Sequence, residues 1–285
     1  MGICKCDNFL VRYFQRRPAS PLHLFVESLW VYRSEPAIRR IERVLPSGAP
    51  QLVVNLAEDQ TRIYRAQGNE LLCAIGPGSI LSGVSSSAQL IDSDELTNVA
   101  GVTFRPGGTL PFVAQPASDF TNRDVPLDSV WGSETTNRLR DRLLSAHTAS
   151  AVLDILEQTL FDTWNDRALH PVVGFALGEF LASASVAQVA KVKSVIGLSE
   201  KRFIERFKSE VGVTPKRFCR LKRFQQVVSS AHQRNEVEWA DLALSCGYTD
   251  QAHLIHEFRE FSGITPRAYG QGKTSFQNHV SFLQS

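Results

Sequence analysis

The sequence predicts an α+β chain with a β-rich, barrel-like N-terminal domain, a helical connector and an all-α C-terminal domain holding two helix-turn-helix units. Three observations lead to this fold class. Short β-rich runs fill the first half, the apolar period becomes helical from about Thr135, and one helix-turn-helix pattern occurs twice near the C-terminus. The predicted divisions are residues 1–133, 134–167 and 168–273, followed by a tail over 274–285. We expect the polar stretch from Gly270 to Ser285 to be partly disordered.

Runs of β-branched and aromatic residues mark the strands of the N-terminal domain. They cover residues 25–32, 51–56, 61–64, 71–75, 89–91 and 98–104. Turn signals rich in Gly and Pro, such as Pro46–Pro50 and Gly76–Gly78, separate these runs. Short strands at such close spacing are typical of a sandwich or a small barrel.

The second half of the chain has a helical period. Two apolar stripes, one through Leu139 and Leu143 and one through Val152–Trp164, predict the two helices of the connector. Beyond His170 we expect a series of helices that belong to the C-terminal domain. They cover about residues 170–181, 186–194, 199–210, 215–232, 237–245 and 249–261.

An internal repeat identifies the helix-turn-helix units. Gly212–Pro215 recurs 51 residues later as Gly263–Pro266, with Thr and Pro in the same places. Each copy follows a helical run that closes on an aromatic residue, and a glycine turn precedes each run, at Gly197 and Gly247. Helix, glycine turn and helix form the geometry that lays a helix in the DNA major groove. Two copies joined by a basic helix imply one chain that reads two successive groove segments.

Charge and composition agree with a DNA-binding C-terminal half. The net charge is only +2, but residues 168–273 contain 15 Lys and Arg against 10 Asp and Glu. A basic half suggests contact with a polyanion. No apolar run approaches the roughly 18 residues of a membrane span, and five cysteines without framework spacing indicate reduced thiols. We therefore expect a cytoplasmic protein that does not contact a membrane.

The chain lacks the sequence patterns of an enzyme. No nucleophile, phosphate-loop or zinc-protease motif occurs, and His23 is the only histidine before His147, which excludes a barrel that needs a histidine cluster for its metal. We expect no catalytic residues, no cofactor and no metal. The rival interpretation is a small-molecule-binding or enzymatic barrel protein with a degenerate DNA module.

The C-terminal repeat carries a family resemblance. The pattern Ala243-x-x-x-Gly247-Tyr248-x-Asp250-x-x-His253-Leu254-x-x-x-Phe258, continued by Gly263-x-Thr265-Pro266-x-x-Tyr269, resembles the DNA-binding domain of the AraC/XylS family of bacterial transcription regulators. The first unit, from Leu198 to Phe218, fits the same pattern. The resemblance implies seven helices, with a long helix bridging two helix-turn-helix units.

The N-terminal half is similar to an uncharacterised sensor-type domain found in members of that family. Leu45–Leu56, Gly101–Gly108 and Val125–Gly132 carry this similarity. The resemblance implies double-stranded promoter DNA as the partner, and RNA polymerase as another if the protein is an activator. A small-molecule effector and a homodimer stay open as further partners of the N-terminal domain.

The resemblance also places the groove-facing residues. The positions that match base-facing ones are Lys201, Ile204 and Glu205 in the first unit and Gln251, Ala252, Ile255 and His256 in the second. In the first unit the alternative is a helix that merely docks on phosphates. Gln251 could form a bidentate pair with adenine, so we expect Gln251 to contribute more to sequence preference than Ile204. Lys193 stands where the family usually has a small residue at the helix crossing.

A second set of polar residues is expected at the DNA backbone. The predicted phosphate contacts are Ser199, Lys208, Lys216, Arg220, Arg223, Thr249, His253 and Arg259. Helical spacing puts Lys216, Arg220 and Arg223 on roughly one face of the bridging helix, where a plain solvated face is the alternative. His253 and His256 could in principle hold a metal, but no third ligand is in reach, so a structural role for His253 is favoured.

Overall fold

The computed structural model describes residues 2–6, 9–34, 41–67, 70–92, 96–183 and 186–282. Its N-terminal part is built from strands, and its C-terminal part from helices. The strands are β1 Gly2–Cys6, β2 Phe9–Arg16, β3 Val26–Ser34, β4 Ile41–Val44, β5 Gln51–Asn55, β6 Gln60–Gln67, β7 Glu70–Pro77, β8 Ser79–Ser82, β9 Gln89–Asp92, β10 Asn98–Phe104, β11 Asp124–Pro126 and β12 His279–Ser281.

These strands form two antiparallel sheets. The larger has the order β1-β2-β3-β10-β5-β8-β11, and the smaller has the order β12-β4-β9-β6-β7. The β-rich N-terminal domain is confirmed, but its two sheets do not close into a barrel. Short strands such as β4, β8 and β11 were not predicted, because runs of three or four residues carry too little periodicity to stand out from loops.

Alternation along the strands of the larger sheet gives that sheet two different faces. On β3, Leu29 and Val31 are fully buried in a core shared with two helices. The intervening Trp30 and Tyr32 lie on the opposite face and line a cavity between the two sheets. Residues of β5 and β10 follow the same alternation, so one face builds the core and the other builds the cavity.

The two helices predicted as a connector pack on the larger sheet. After the one-turn helix α1 (Asp128–Trp131) come α2 (Ser133–Leu144) and α3 (Ala149–Asp162). Their apolar stripes contribute to the core of the N-terminal domain. Arg16 on β2 pairs with Asp154 and Glu157 on α3 at 2.7 Å each. These helices are therefore an integral layer of the N-terminal domain.

The C-terminal domain follows, with seven helices in its described residues. They are α4 Pro171–Ala182, α5 Val186–Val195, α6 Glu200–Val211, α7 Pro215–His232, α8 Trp239–Ser245, α9 Gln251–Ser262 and α10 Pro266–Gly272. The bridging helix α7 has the predicted bounds. The predicted break at Ala182–Ser185 includes Ala184 and Ser185, which lie outside the described residues. Across the described ranges, none of the helices combines the length and apolarity needed to span a membrane.

The C-terminal tail is more ordered than its polar composition predicted. Strand β12 within it pairs with β4 of the smaller sheet, and Val280 is 3% exposed. His279 Nδ1 lies 2.8 Å from Glu42 Oε2. The expectation of partial disorder is therefore wrong for residues 274–282, because three residues of backbone pairing and one buried valine hold this segment to the N-terminal domain.

Candidate nucleic-acid interface

The repeated Gly-x-Thr-Pro motif is a helix end followed at once by a helix start. Gly212 and Gly263 cap α6 and α9 with positive φ angles of 96° and 72°, which glycine adopts without strain. Two residues later, Thr214 and Thr265 accept hydrogen bonds from the backbone N–H three residues on. A proline then occupies the first helical position, where no N–H is needed. The repeat therefore fixes the angle between each recognition helix and the helix that follows it.

The first unit consists of α5, a turn at Gly197 and the recognition helix α6. Phe203 and Phe207 are fully buried, with their rings 5.9 Å apart, and they fix the inner face of α6. The outer face carries Lys201 and Glu205, both exposed, and the half-buried Ile204. The predicted groove-facing residues of this unit thus lie together on the side of α6 opposite the core.

The helix crossing in the first unit accommodates its lysine. Lys193 is 30% exposed and forms an ion pair with Glu200 in the first turn of α6. Its aliphatic stem can lie along the crossing while its ammonium group reaches that carboxylate. Ser199 caps α6 by accepting from the Arg202 N–H at 3.4 Å, and it remains exposed at the helix N-terminus.

The second unit consists of α8, a tight turn at Gly247 and the recognition helix α9. The Tyr248 N–H donates to the Ala243 carbonyl at 2.9 Å, and Gly247 has a φ of 77°. Asp250 caps α9 by accepting from the His253 N–H at 2.8 Å. On the outer face, Gln251, Ala252 and His256 are exposed and Ile255 is half-buried.

His253 is held within the protein by its own neighbours. Its Nδ1 lies 3.1 Å from Thr249 Oγ1, and its ring packs edge-on against Tyr248 with centroids 5.1 Å apart. No group of three metal-ligating side chains occurs among the described residues. The contacts of His253 agree with a structural role and leave its imidazole edge near the N-terminus of α9.

Several predicted backbone-contacting cations are free to meet a phosphate. Lys208, Lys216 and Arg259 are exposed. None of these three has an ion-pair partner among the residues that the structure describes. Lys208 lies near the end of α6, Lys216 near the start of α7, and Arg259 on α9. Both helix-turn-helix units therefore present unpaired positive charge.

Two other predicted phosphate contacts, Arg220 and Arg223, already form ion pairs within the protein. Arg223 is 6% exposed; its Nη2 donates to both oxygens of Glu257 at 3.0 and 2.9 Å, and its guanidinium lies 4.4 Å above the Tyr248 ring. Arg220 is partly exposed, but it pairs with Glu257 at 2.7 Å and with Glu260. Because α9 packs against this face of α7, both arginines tie the second unit to the bridging helix in this structure.

This ion network shifts the pKa values of Glu260 and Tyr248. Hydrogen bonds from Arg220 and Arg217 lower the pKa of Glu260 to about 2. Burial and the neighbouring Glu257 carboxylate raise the pKa of Tyr248, so its hydroxyl stays neutral and donates to Glu257 at 2.9 Å. The network joins the bridging helix to α9.

Both repeated turns are docked on the N-terminal domain. Thr121 donates to the Gly212 carbonyl at the end of α6. At the end of α9, Arg43 donates to the Ser262 carbonyl at 3.1 Å, and the Ala88 N–H donates to the Phe261 carbonyl at 2.9 Å. Leu45 and Val84 of the N-terminal domain also join the core of the C-terminal domain. Residues 168–273 therefore do not contain the whole of their own core.

A cavity of about 430 Å³ lies between the two sheets of the N-terminal domain. Strands of both sheets line it, and the tail closes one side through residues 276–279. Its walls include segments 44–47 and 82–87, which adjoin the residues that dock on the two turns. The same backbone segments of the N-terminal domain therefore line the cavity on one side and contact the two turns on the other.

Sequence reasoning missed this cavity and the ion network. The alternation of Trp30 and Tyr32 indicated an aromatic face on β3. The other residues that line the cavity come from strands distant in sequence, so the cavity itself could not be predicted. For the network, the signal was Glu257 and Glu260 one turn apart on α9, which predicts an acidic stripe. That stripe could have been paired with the basic face of α7.

Comparison with known proteins gives matches in both halves. Residues 15–126 match a domain of unknown function (DUF6597), and residues 194–272 match a helix-turn-helix domain. The chain is 26% identical over 149 residues to the probable transcriptional regulator LumQ of Photobacterium leiognathi. That alignment covers 52% of this chain and 59% of LumQ, so the chain spans less than two thirds of that relative.

Solved structures of ToxT from Vibrio cholerae align over most of the chain. One aligns with a TM-score of 0.44 at 10% identity, covering 93% of this chain and 98% of ToxT. Another, bound to an unsaturated fatty acid, aligns with a TM-score of 0.42 at 12% identity, covering 94% and 97%. The two domain matches place a helix-turn-helix domain behind a DUF6597 domain, and together with the likeness to LumQ they support a DNA-binding transcription regulator.

Proposed function

We propose that this protein binds promoter DNA through α6 and α9, each of which enters the major groove of one of two adjacent segments. The observation that carries the proposal is the pair of recognition helices that each have a side-chain N-cap, a glycine C-cap and an exposed outer face. The bridging helix α7 has 18 residues and is therefore about 27 Å long at about 1.5 Å per residue. Successive major-groove segments on one DNA face lie about 34 Å apart, a distance that two units on such a bridge can span.

We assign the residue roles from the family positions that these residues match, supported by the exposure of most of their side chains. The base-facing set is Lys201, Ile204, Glu205, Gln251, Ala252, Ile255 and His256. The phosphate-facing set is Ser199, Lys208, Lys216, Thr249, His253 and Arg259. For Arg220 and Arg223 we propose a different role, which is to position α9 through their ion pairs. The N-termini of α6 and α9 add helix-dipole attraction for phosphate oxygens.

We further assign the cavity between the sheets as the site of a small-molecule effector. Its lining residues Val44, Gly83 and Ser87 adjoin Arg43, Val84 and Ala88 at the two repeated turns, so an occupant can bias the arrangement of the two recognition helices. In this proposal the protein acts in the cytoplasm and is not an enzyme. A second copy of the chain and RNA polymerase are further proposed partners. An enzymatic barrel with a degenerate DNA module is disfavoured, because both recognition helices keep complete caps and exposed faces.

The test is footprinting of the full chain on DNA fragments selected from its own genome. The proposal expects two protected major-groove segments about one helical turn apart. A single protected segment would contradict the two-unit arrangement, and no selection of any sequence over competitor DNA would contradict specific binding.

A salt titration tests the phosphate assignments. Lys216→Ala should weaken binding to all sequences alike and reduce the slope of log affinity against log salt by about 0.9. Arg138→Ala, on the exposed face of α2, removes the same charge away from the proposed interface and serves as the matched control. Equal effects of the two variants would show that net charge, not contact, explains the loss.

A further inference from the structure

We infer that the cavity between the two sheets binds an uncharged, largely aromatic molecule with a hydrogen-bonding group, and that the C-terminal tail forms its cover. The inference rests on the proposed role of this cavity as an effector site and names the class of molecule that fits it. Its volume of about 430 Å³ lies within the range of roughly 300–1,000 Å³ found for small-molecule sites.

One end of the cavity is a wall of aromatic rings. Tyr13 stacks on Trp30 with centroids 6.5 Å apart, and Phe276 of the tail meets Tyr13 and Tyr32 edge-on at 6.0 and 5.8 Å. The Trp30 ring lies directly over Gly101, where a Cβ atom would overlap it. Trp30 Nε1 donates to Thr103 Oγ1 at 3.1 Å, which fixes the ring. Rigid rings at such spacing favour a flat aromatic partner.

The floor of the cavity offers hydrogen bonds next to this wall. Thr103, Gln51 and Ser82 are cross-strand neighbours on β10, β5 and β8, and all three line the cavity. Within the described part of the chain, the side chains of Gln51 and Ser82 have no hydrogen-bond partner. The next row, Val53 beside Ile80, is apolar. A ligand with an aromatic body and one polar group can therefore satisfy both rows.

The charges of the lining disfavour an anion. Glu42 is paired with His279 at 2.8 Å, and Arg62 is paired with Glu58 at 3.0 Å. Asp124 accepts from the Gln89 amide at 3.1 Å, so its negative charge faces a neutral donor. A ligand carboxylate would find no unpaired cation among these groups and would be repelled by Asp124. The lining therefore favours an uncharged molecule.

The cover comes from the helical half of the chain. Phe276 completes the aromatic wall, and the neighbouring residues of the tail are tied to α7. Gln225 on α7 donates to the Pro46 carbonyl at 2.7 Å and to Asn278 Oδ1 at 3.1 Å. A ligand that contacts Phe276 therefore contacts a segment that is hydrogen-bonded to the bridging helix.

The experiment uses a matched pair of fluorescent probes on the full chain without DNA. N-phenyl-1-naphthylamine is uncharged and aromatic with one N–H donor, and 8-anilino-1-naphthalenesulfonate is the same frame with a negative charge. We expect saturable, one-to-one binding of the neutral probe and at least about tenfold weaker binding of the sulfonate. Absence of saturable binding of the neutral probe, or equal affinity for both, would overturn the inference.

Variants locate the binding site. Phe276→Ala should lower the affinity for the neutral probe about tenfold, because one ring of the wall is lost. Phe282→Ala, in the same tail but outside the cavity, should leave that affinity unchanged. Val53→Trp should fill the cavity and abolish binding while thermal unfolding shows a folded protein. Unchanged affinity in Phe276→Ala would place the probe elsewhere. DNA binding is measured separately without probe, so a failure there counts against the proposed function alone.

Discussion

Replacing Glu257 with Ala should detach the second helix-turn-helix unit from the bridging helix. Glu257 is 2% exposed, and its carboxylate accepts hydrogen bonds from Arg223, Arg220 and Tyr248. Removing the carboxylate leaves the guanidinium of Arg223, whose side chain is 8% exposed, buried without a counter-charge. Water cannot easily replace the lost partner, because α9 and the Tyr248 ring cover this site.

The magnitude follows from the burial of the pair. Breaking a buried ion pair by removing one partner costs about 3–5 kcal/mol. Domains are stable by about 5–15 kcal/mol in total, so the loss is a large fraction of the free energy of unfolding. The exposed Arg220–Glu260 pair should add little to this, because pairs near the surface contribute about 0–1 kcal/mol.

Urea unfolding followed by tryptophan fluorescence and circular dichroism measures this loss. Trp239 lies 6.5 Å from the Phe258 ring of α9, so its emission reports on the second unit. Glu205→Ala, on the exposed face of α6, is the control and should change the free energy of unfolding by less than about 0.5 kcal/mol. Arg223→Met combined with Glu257→Leu should recover most of the stability. A loss below about 1 kcal/mol in Glu257→Ala would refute the reasoning.

Two further predictions concern acid stability and the cavity wall. The pKa of Glu260 is lowered from 4.5 to about 2, so its stabilising contribution is present above pH 4.5 and is lost as the pH falls toward 2. Glu260→Gln should therefore lower the urea midpoint at neutral pH and match wild type near pH 2; an unchanged difference at both pH values would contradict this. Gly101→Ala would force the Trp30 ring to move, and we expect a loss of about 1–3 kcal/mol in the same urea assay; a neutral substitution would show that the ring is not fixed.

Local features of the C-terminal domain could be predicted from the sequence. The glycine turns, the threonine caps and the first-turn prolines depend on residues within four positions of one another. Pro215 and the apolar period therefore predicted α7 with the bounds found in the structure. Local periodicity also predicted the buried faces of α6 and α9, whereas the particular groove-facing positions came from the family resemblance and stay predictions.

Features that depend on distant neighbours could not be predicted. Periodicity showed which way Arg223 points on α7, but not that α9 packs there with Glu257. Strand β12 has only three residues and pairs with β4, more than two hundred positions earlier. The cavity requires the strand order β3-β10-β5-β8, which local patterns do not contain.

The most direct test of the two-unit account is the sequence preference of wild type and two variants, measured on a library randomised over both half-sites. The account predicts two blocks of preference one helical turn apart. Gln251→Ala should erase much of one block, because a bidentate contact to a base supplies about 1–3 kcal/mol of discrimination. Ile204→Ala should weaken the other block less, because an apolar contact to a methyl group discriminates less. A single block, or a larger loss in Ile204→Ala than in Gln251→Ala, would contradict the account.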